Sequence, residues 1–283
     1  MSRRLRRRPF FPILCVLLLL IVAPPSWSTE PESRADQAGP LNHLLATAYP
    51  VGEVLHYDVT WMGMTAGRLT MEVRQLDKRG EIFAIDITAR SAGLLGAIYP
   101  VRDEFRVIVQ GDERLPSNYR TNQRQGERLT VRNTTYDQQS GRIVYQRDLE
   151  EPRRFQVDGP VHNEFSAFYI TRIMPLALGN SVVIPAFADN ERHQVRVVVE
   201  RLEEIDSILG RREAMRIRPH LNFAGLYEKV ADPQIWLTND HYRVPLLVKS
   251  RIAIGSLTAT LSHYEGPLNL QLSALADGSL LQQ

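Results

Sequence analysis

Short runs of alternating apolar and polar residues, separated by turn-forming residues, dominate this chain from Val51 onward. Leu69, Met71 and Val73 alternate with Thr70, Glu72 and Arg74, and Phe83, Ile85, Ile87 and Ala89 alternate with Ala84, Asp86 and Thr88. A period of two sends successive side chains to opposite faces of a strand, so each run has one face for a core and one for water. Lys78-Arg79-Gly80 separates the two runs and predicts a hairpin between them. The same habit returns at Phe105–Val109, at Leu129–Tyr136 and Ile143–Gln146 around a turn at 138–141, at Val195–Val199, and at Ile252–Ile254 followed by 257–262.

One segment breaks the pattern. Asn163 can cap a helix with Glu164 in its first turn, and Phe165, Phe168, Tyr169, Ile173 and Met174 recur at helical spacing until Pro175 and Gly179 end it. The spacing predicts a helix over 163–174. No internal repeat of fixed period is present, which disfavours solenoids and propellers. The fold class expected is mainly β: a strongly curved antiparallel sheet or incomplete barrel or sandwich, partly closed by one mid-chain helix.

The amino terminus carries an export signal pattern. Arg3, Arg4, Arg6, Arg7 and Arg8 precede an apolar run from Phe10 to Ala23, and Ser26-Trp27-Ser28 offers small residues where signal peptidase requires them. The run is interrupted by Pro12 and falls short of the roughly 20 residues that span a bilayer. Cleavage after Ser28 and delivery to the periplasm are expected, with a flexible leader over 29–48, one β-rich domain over 49–266 and a tail over 267–283. No membrane-spanning segment then remains. Removal of residues 1–28 takes five arginines and no acids, so 34 basic and 32 acidic side chains become 29 and 32. The mature chain is mildly acidic, without the basic footprint of a nucleic-acid binder. It also loses Cys15, its only cysteine, so it can form neither a disulfide nor a thiolate metal site.

Certain segments carry a family resemblance. Val51-Gly52-Glu53-Val54-Leu55-His56-Tyr57 and then Trp61-Met62-Gly63-Met64-Thr65-Ala66-Gly67 resemble the opening signature of an exported bacterial family, domain of unknown function 3108 (DUF3108). Tyr99 to Asp103, Ser166 to Gly179, and Ile235-Trp236-Leu237-Thr238-Asn239-Asp240 followed by Arg243-Val244-Pro245 are similar to its central and terminal motifs. The resemblance runs from Val51 to Tyr264. It implies an envelope location and a β-rich fold, and it brings no reaction, ligand or catalytic residue.

Candidate site residues come from local chemistry. Beside Trp61, the stretch from Gly63 to Gly67 is depleted of large side chains, either because a strand bends there or because the wall must admit a ligand; bending is the stronger reading. Gly93 and Gly96, with Leu94, Leu95 and Ile98, pose the same choice, and an exposed version suits a lipidic partner. Trp236, Asp240 and Arg243 gather around an Asn239-Asp240 turn, where local hydrogen bonding explains the polar pair better than a binding rim does. The arginines Arg120, Arg124, Arg128 and Arg132, with Arg147, Arg153 and Arg154, are expected to line a solvated hairpin face, with an anionic-ligand surface as the alternative.

Catalysis finds less support. His162, His193, His220, His241 and His263 are scattered, and no pair has the i, i+4 spacing of metal ligands on a helix. Neither a His-Glu-x-x-His motif, a Gly-x-Ser-x-Gly elbow nor a phosphate-cradling loop is present. A site built from distant strands, such as His220, Asp232 and His241, stays open. The expected function is a non-catalytic periplasmic protein, without metal or cofactor, that binds a lipid, a glycan or an envelope protein through residues among Trp61, Gly63, Gly67, Trp236, Asp240 and Arg243. The alternative is a periplasmic hydrolase of envelope glycan or lipid.

Overall fold

The computed structural model describes residues 39–188, 190–221, 233–251 and 255–269. The export segment, Asp232 and Ile252–Ile254 lie outside the described residues. Fourteen antiparallel strands form one continuous sheet in the order β8-β7-β6-β5-β4-β3-β2-β1-β14-β13-β12-β11-β10-β9. The first meander comprises β1 (Val54–Trp61), β2 (Met64–Gln75), β3 (Ile82–Ser91), β4 (Val101–Gln110), β5 (Leu115–Gln125), β6 (Arg128–Asp137), β7 (Arg142–Arg147) and β8 (Arg153–Gln156). The second comprises β9 (Ser181–Ala188), β10 (Glu191–Ser207), β11 (Gly210–Leu221), β12 (Gln234–Thr238), β13 (Pro245–Arg251) and β14 (Ser256–Glu265). Every neighbour in the sheet is a neighbour in sequence except β1 and β14.

The expected alternation sets the two faces. Leu55, Tyr57 and Val59, Leu69, Met71 and Val73, and Phe83, Ile85, Ile87 and Ala89 are buried on the concave side, where they form one core with residues of the second meander. Right-handed strand twist and bulges at His56/Tyr57 and Val59/Thr60 curl the sheet around that core. Its two edges then meet at a seam. Phe155 of β8 stacks on Phe187 of β9 with ring centroids 5.3 Å apart. The intervening chain straps the seam: the His162 amide donates to the Pro185 carbonyl at 2.8 Å, the Phe187 amide donates to the His162 carbonyl at 2.7 Å, and Gln138 bonds both polar groups of the Val161 backbone. The strap covers edge groups that would otherwise invite pairing with another chain.

Short α-helices accompany the sheet, among them α1 (Leu45–Ala48), α2 (Gly93–Ile98) and α3 (Glu164–Thr171). The expected helix is α3, and its start follows from a capping box, with Asn163 accepting from the Ser166 amide at 2.9 Å and Ser166 Oγ accepting from the Asn163 amide at 3.0 Å. Phe165 of α3 packs on Phe105 and Tyr119, so the helix fills one side of the concavity. Leu41 donates to the Ile173 carbonyl at 2.6 Å and Tyr49 stacks on Tyr169 at 4.9 Å, so the chain is docked on the core before Val51 is reached.

Candidate functional site

Five of the six residues singled out in the sequence divide between opposite ends of the sheet. β1 runs from Val54, paired with Glu265, to Trp61, paired with Leu257. Trp61, Gly63 and Gly67 belong to the far end of that strand and its hairpin; Asp240 and Arg243 belong to the β12–β13 turn at the near end, beside Glu53. At that near end, Asp240 Oδ1 accepts from the amides of Tyr242 and Arg243 at 3.0 Å each and from Thr238 Oγ1 at 2.7 Å. Arg243 donates to the Met174 carbonyl at 2.6 Å, and burial pushes its guanidinium below the ordinary arginine range. Arg172, one residue past α3, reaches the carbonyls of Tyr242 and Arg243 and makes a fully buried ion pair with Glu53. Three of the segments that carry the family resemblance therefore meet at one polar joint.

Trp236 lies apart from both groups. Its indole N–H donates to Glu203 Oε1 at 2.6 Å, and Lys249 Nζ stands 5.3 Å from its ring centroid. Met62 and Gly63 form the two-residue β1–β2 turn with φ values of +50° and +83°, the left-handed pair that suits strand twist. Gly67 faces the backbone of β3, where a Cβ would stand 2.3 Å from the Arg90 carbonyl oxygen.

The histidine trio suggested by the sequence is not assembled. His220 ends β11 at the end opposite the turn that carries His241, and Asp232 lies outside the described residues. His56 and His263 meet across β1 and β14 at 5.5 Å between ring centroids, and His263 Nε2 is 3.1 Å from Glu265 Oε1 on an open surface. His162 touches Ser166 Oγ at 3.2 Å inside the capping box, and burial depresses its pKa to about 4. Among the described residues no three histidine, cysteine or acidic side chains stand where they could hold a metal ion.

The convex face carries the arrangement with the clearest chemistry. Arg68 is paired with Arg90, Arg90 with Arg102, and Arg102 with Arg124, so four exposed arginines stand in one row across β2, β3, β4 and β5. Asp58 lies 3.6 Å from Arg68 at one end of the row. Among the described residues Arg90, Arg102 and Arg124 have no ion-pair partner. Four residues away on the same face the charges are balanced: Asp86 binds Arg74 and holds Arg106 at 2.5 Å. A recess of about 580 Å³ opens beside the row, lined by Arg68, Thr70, Thr88, Arg90, Ser91 and Ala92.

Of these arginines only Arg124 stands out in the sequence, within a series read as lining one face. That reading is corrected for Arg128 and Arg132. The two-residue β5–β6 turn pairs Arg124 with Leu129, so the even positions of β6 project to the other side of the sheet from those of β5. Arg132 reaches Gln123 on the concave side and is paired there with Arg147, while Gln123 and Gln125 donate to the buried Asp103 at 3.2 and 2.8 Å. Arg68, Arg90 and Arg102 were legible only as polar-phase residues near strand ends, because lateral pairing is long-range information.

Comparison with known proteins adds a family and a fold. The model of the family described as "Protein of unknown function (DUF3108)" matches residues 56–262. No curated protein matches the chain. Among solved structures, it is similar to a β-barrel-like protein of domain of unknown function DUF1849 from Brucella abortus, with a TM-score of 0.53 and 11% identity over 77% of this chain and 98% of that one. A Bacteroides fragilis protein with a YmcC-like fold, named as an exported protein, aligns at a TM-score of 0.30 and 8% identity over 76% of this chain and 96% of that one. No helix among the described residues is long and apolar enough to cross a membrane.

Proposed function

The chain belongs to the DUF3108 family, whose description assigns no activity, and from its convex face we propose that it is a non-catalytic protein of the bacterial periplasm that binds an anionic envelope lipid or glycan along Arg68, Arg90, Arg102 and Arg124. The arginine row carries the reading. Like charges directly opposite one another in a sheet cost roughly 0.2–1 kcal/mol per pair, and nothing in the fold requires three such pairs in succession. Arginine offers a planar fork of donors that fits phosphate and carboxylate oxygens two at a time. The adjacent recess, with Thr70 and Thr88, gives an anionic group room and hydroxyl partners. The export pattern over residues 1–28 belongs to the same proposal, since it delivers the row to a compartment of phospholipids and acidic polymers.

The test is titration calorimetry of the protein with a soluble glycerol phosphate oligomer and with a uronic acid oligosaccharide. Arg90→Ser combined with Arg102→Ser should weaken binding of the preferred ligand about tenfold or more while leaving the melting temperature unchanged or higher. An unchanged affinity in that variant, or no binding of either ligand by the wild type, would overturn the proposal.

A further inference from the structure

The arginine row does not end in plain solvent. Just beyond it, at the same end of the sheet, the β1–β2 turn and α2 expose Met62 (60%), Met64 (57%), Leu94 (74%) and Ile98 (74%). Leu94 and Ile98 are four residues apart and share the outward side of α2, while Leu95 packs on the core. The helix is held against β2: at Gly93, with φ +61°, a Cβ would stand 3.2 Å from the Thr65 carbonyl oxygen. Met62 and Met64 of the β1–β2 hairpin and Leu94 and Ile98 of α2 thus make this end of the sheet an apolar crest. Leu129, directly opposite Arg124 and 51% exposed, extends the apolar character to the end of the row. From Met62 to Arg68 and from Ser91 to Arg102 the chain contains no carboxylate.

Resting on the anionic-ligand reading above, we infer that this end of the sheet docks on the surface of an anionic phospholipid bilayer, with Met62, Met64, Leu94 and Ile98 entering the acyl boundary and the four arginines taking lipid phosphates. Apolar groups at an interfacial site sit roughly 5–10 Å into the headgroup and acyl boundary, flanked by basic residues. Met64 precedes Arg68 by four residues on β2, with a bulge between them, so the arginine row stands one short stretch of strand behind the crest. Each basic residue held near an anionic surface adds attraction that a neutral membrane does not offer. A soluble glycan leaves the crest unexplained, because exposed leucine, isoleucine and methionine have nothing to bond in it. A second copy seated symmetrically on the crest would bring arginine row against arginine row.

The protein as recovered from cells is sedimented with vesicles of phosphatidylglycerol and phosphatidylcholine in equal parts, and with phosphatidylcholine alone. The wild type should bind the first and not the second. Leu94→Ser with Ile98→Ser alters only exposed side chains, so it should keep its fold and its affinity for the soluble anionic ligand while losing vesicle binding about tenfold or more. Arg90→Ser with Arg102→Ser should lose both. Wild-type binding of the soluble ligand without binding of anionic vesicles would overturn the bilayer inference and leave the anionic-ligand reading standing. Equal vesicle binding by the crest variant, or wild-type self-association that the crest substitutions abolish, would overturn the inference as well.

Discussion

Arg172 and Glu53, 119 residues apart in sequence, make a two-pronged ion pair at 2.6 and 2.8 Å in which neither side chain has any exposed surface. The same guanidinium donates to the carbonyls of Tyr242 and Arg243, so the strand that opens the sheet, the end of α3 and the β12–β13 turn share one residue. Charges taken so far from water are stable only as a complete set. Glu53→Gln should therefore lower the unfolding free energy by roughly 3–5 kcal/mol, because it leaves a buried guanidinium without its counter-charge. Urea unfolding at neutral pH measures this, and a loss under about 1 kcal/mol would show that water reaches the joint.

Asp240 serves the same joint through its turn. Asp240→Ala removes the acceptor for two amides and a hydroxyl and should cost roughly 2 kcal/mol, with affinity for the soluble anionic ligand unchanged. Lost affinity at an unchanged melting temperature would instead make Asp240 a binding residue.

Gly67 tests whether the strand is small there for geometry or for a ligand. Gly67→Val places new atoms against the Arg90 carbonyl and should destabilise the fold by roughly 1–3 kcal/mol. Gly63→Ala meets open space but must hold φ near +83°, at a cost of roughly 1–2 kcal/mol. A Gly67→Val protein with an unaltered melting temperature would refute the steric account.

His162 links stability to pH. Its pKa is depressed to about 4 in the folded protein by burial, against an ordinary value of 6.5. Above 6.5 the ring is neutral in both states and pH has no effect through it. As pH falls from 6.5 towards 4 the unfolded chain takes up a proton that the folded chain refuses, so stability is lost across that window, by roughly 3 kcal/mol in full. Chemical unfolding of the wild type and His162→Gln at pH 7 and pH 4.5 checks the sign: the variant should lose less stability on acidification.

Where burial alternates cleanly, the sequence announced the structure: β2 and β3 have apolar inner faces and lysine, arginine and glycine at their turn. The box of Asn163 and Ser166 likewise marked the start of α3. Strand β5 showed only its arginines, because its inward positions include Thr121 and Gln123, which face the polar cluster around Asp103 and Arg132 and so give no apolar period. Helix α2 escaped because six residues with two glycines carry no helical signal of their own and depend on the contact with β2. The arginine row is a product of register. Each member looks like an ordinary wet-face residue until four strands are laid side by side.

The pairing of β1 with β14 carries a consequence for how the chain is made. Ser262 bonds the carbonyl of His56 across 206 residues, while every other strand pair joins consecutive strands. A chain that emerges amino terminus first, from the ribosome or across a membrane, keeps those two partners apart until most of it has appeared. Throughout that interval β1 is a bare edge with Leu55, Tyr57 and Val59 already patterned for burial, the kind of strand that recruits a stranger. A chain that stops before Ser256 lacks β14, the strand that joins the two half-sheets through β1 and β13. The continuity of the sheet therefore rests on β14, the last strand among the described residues.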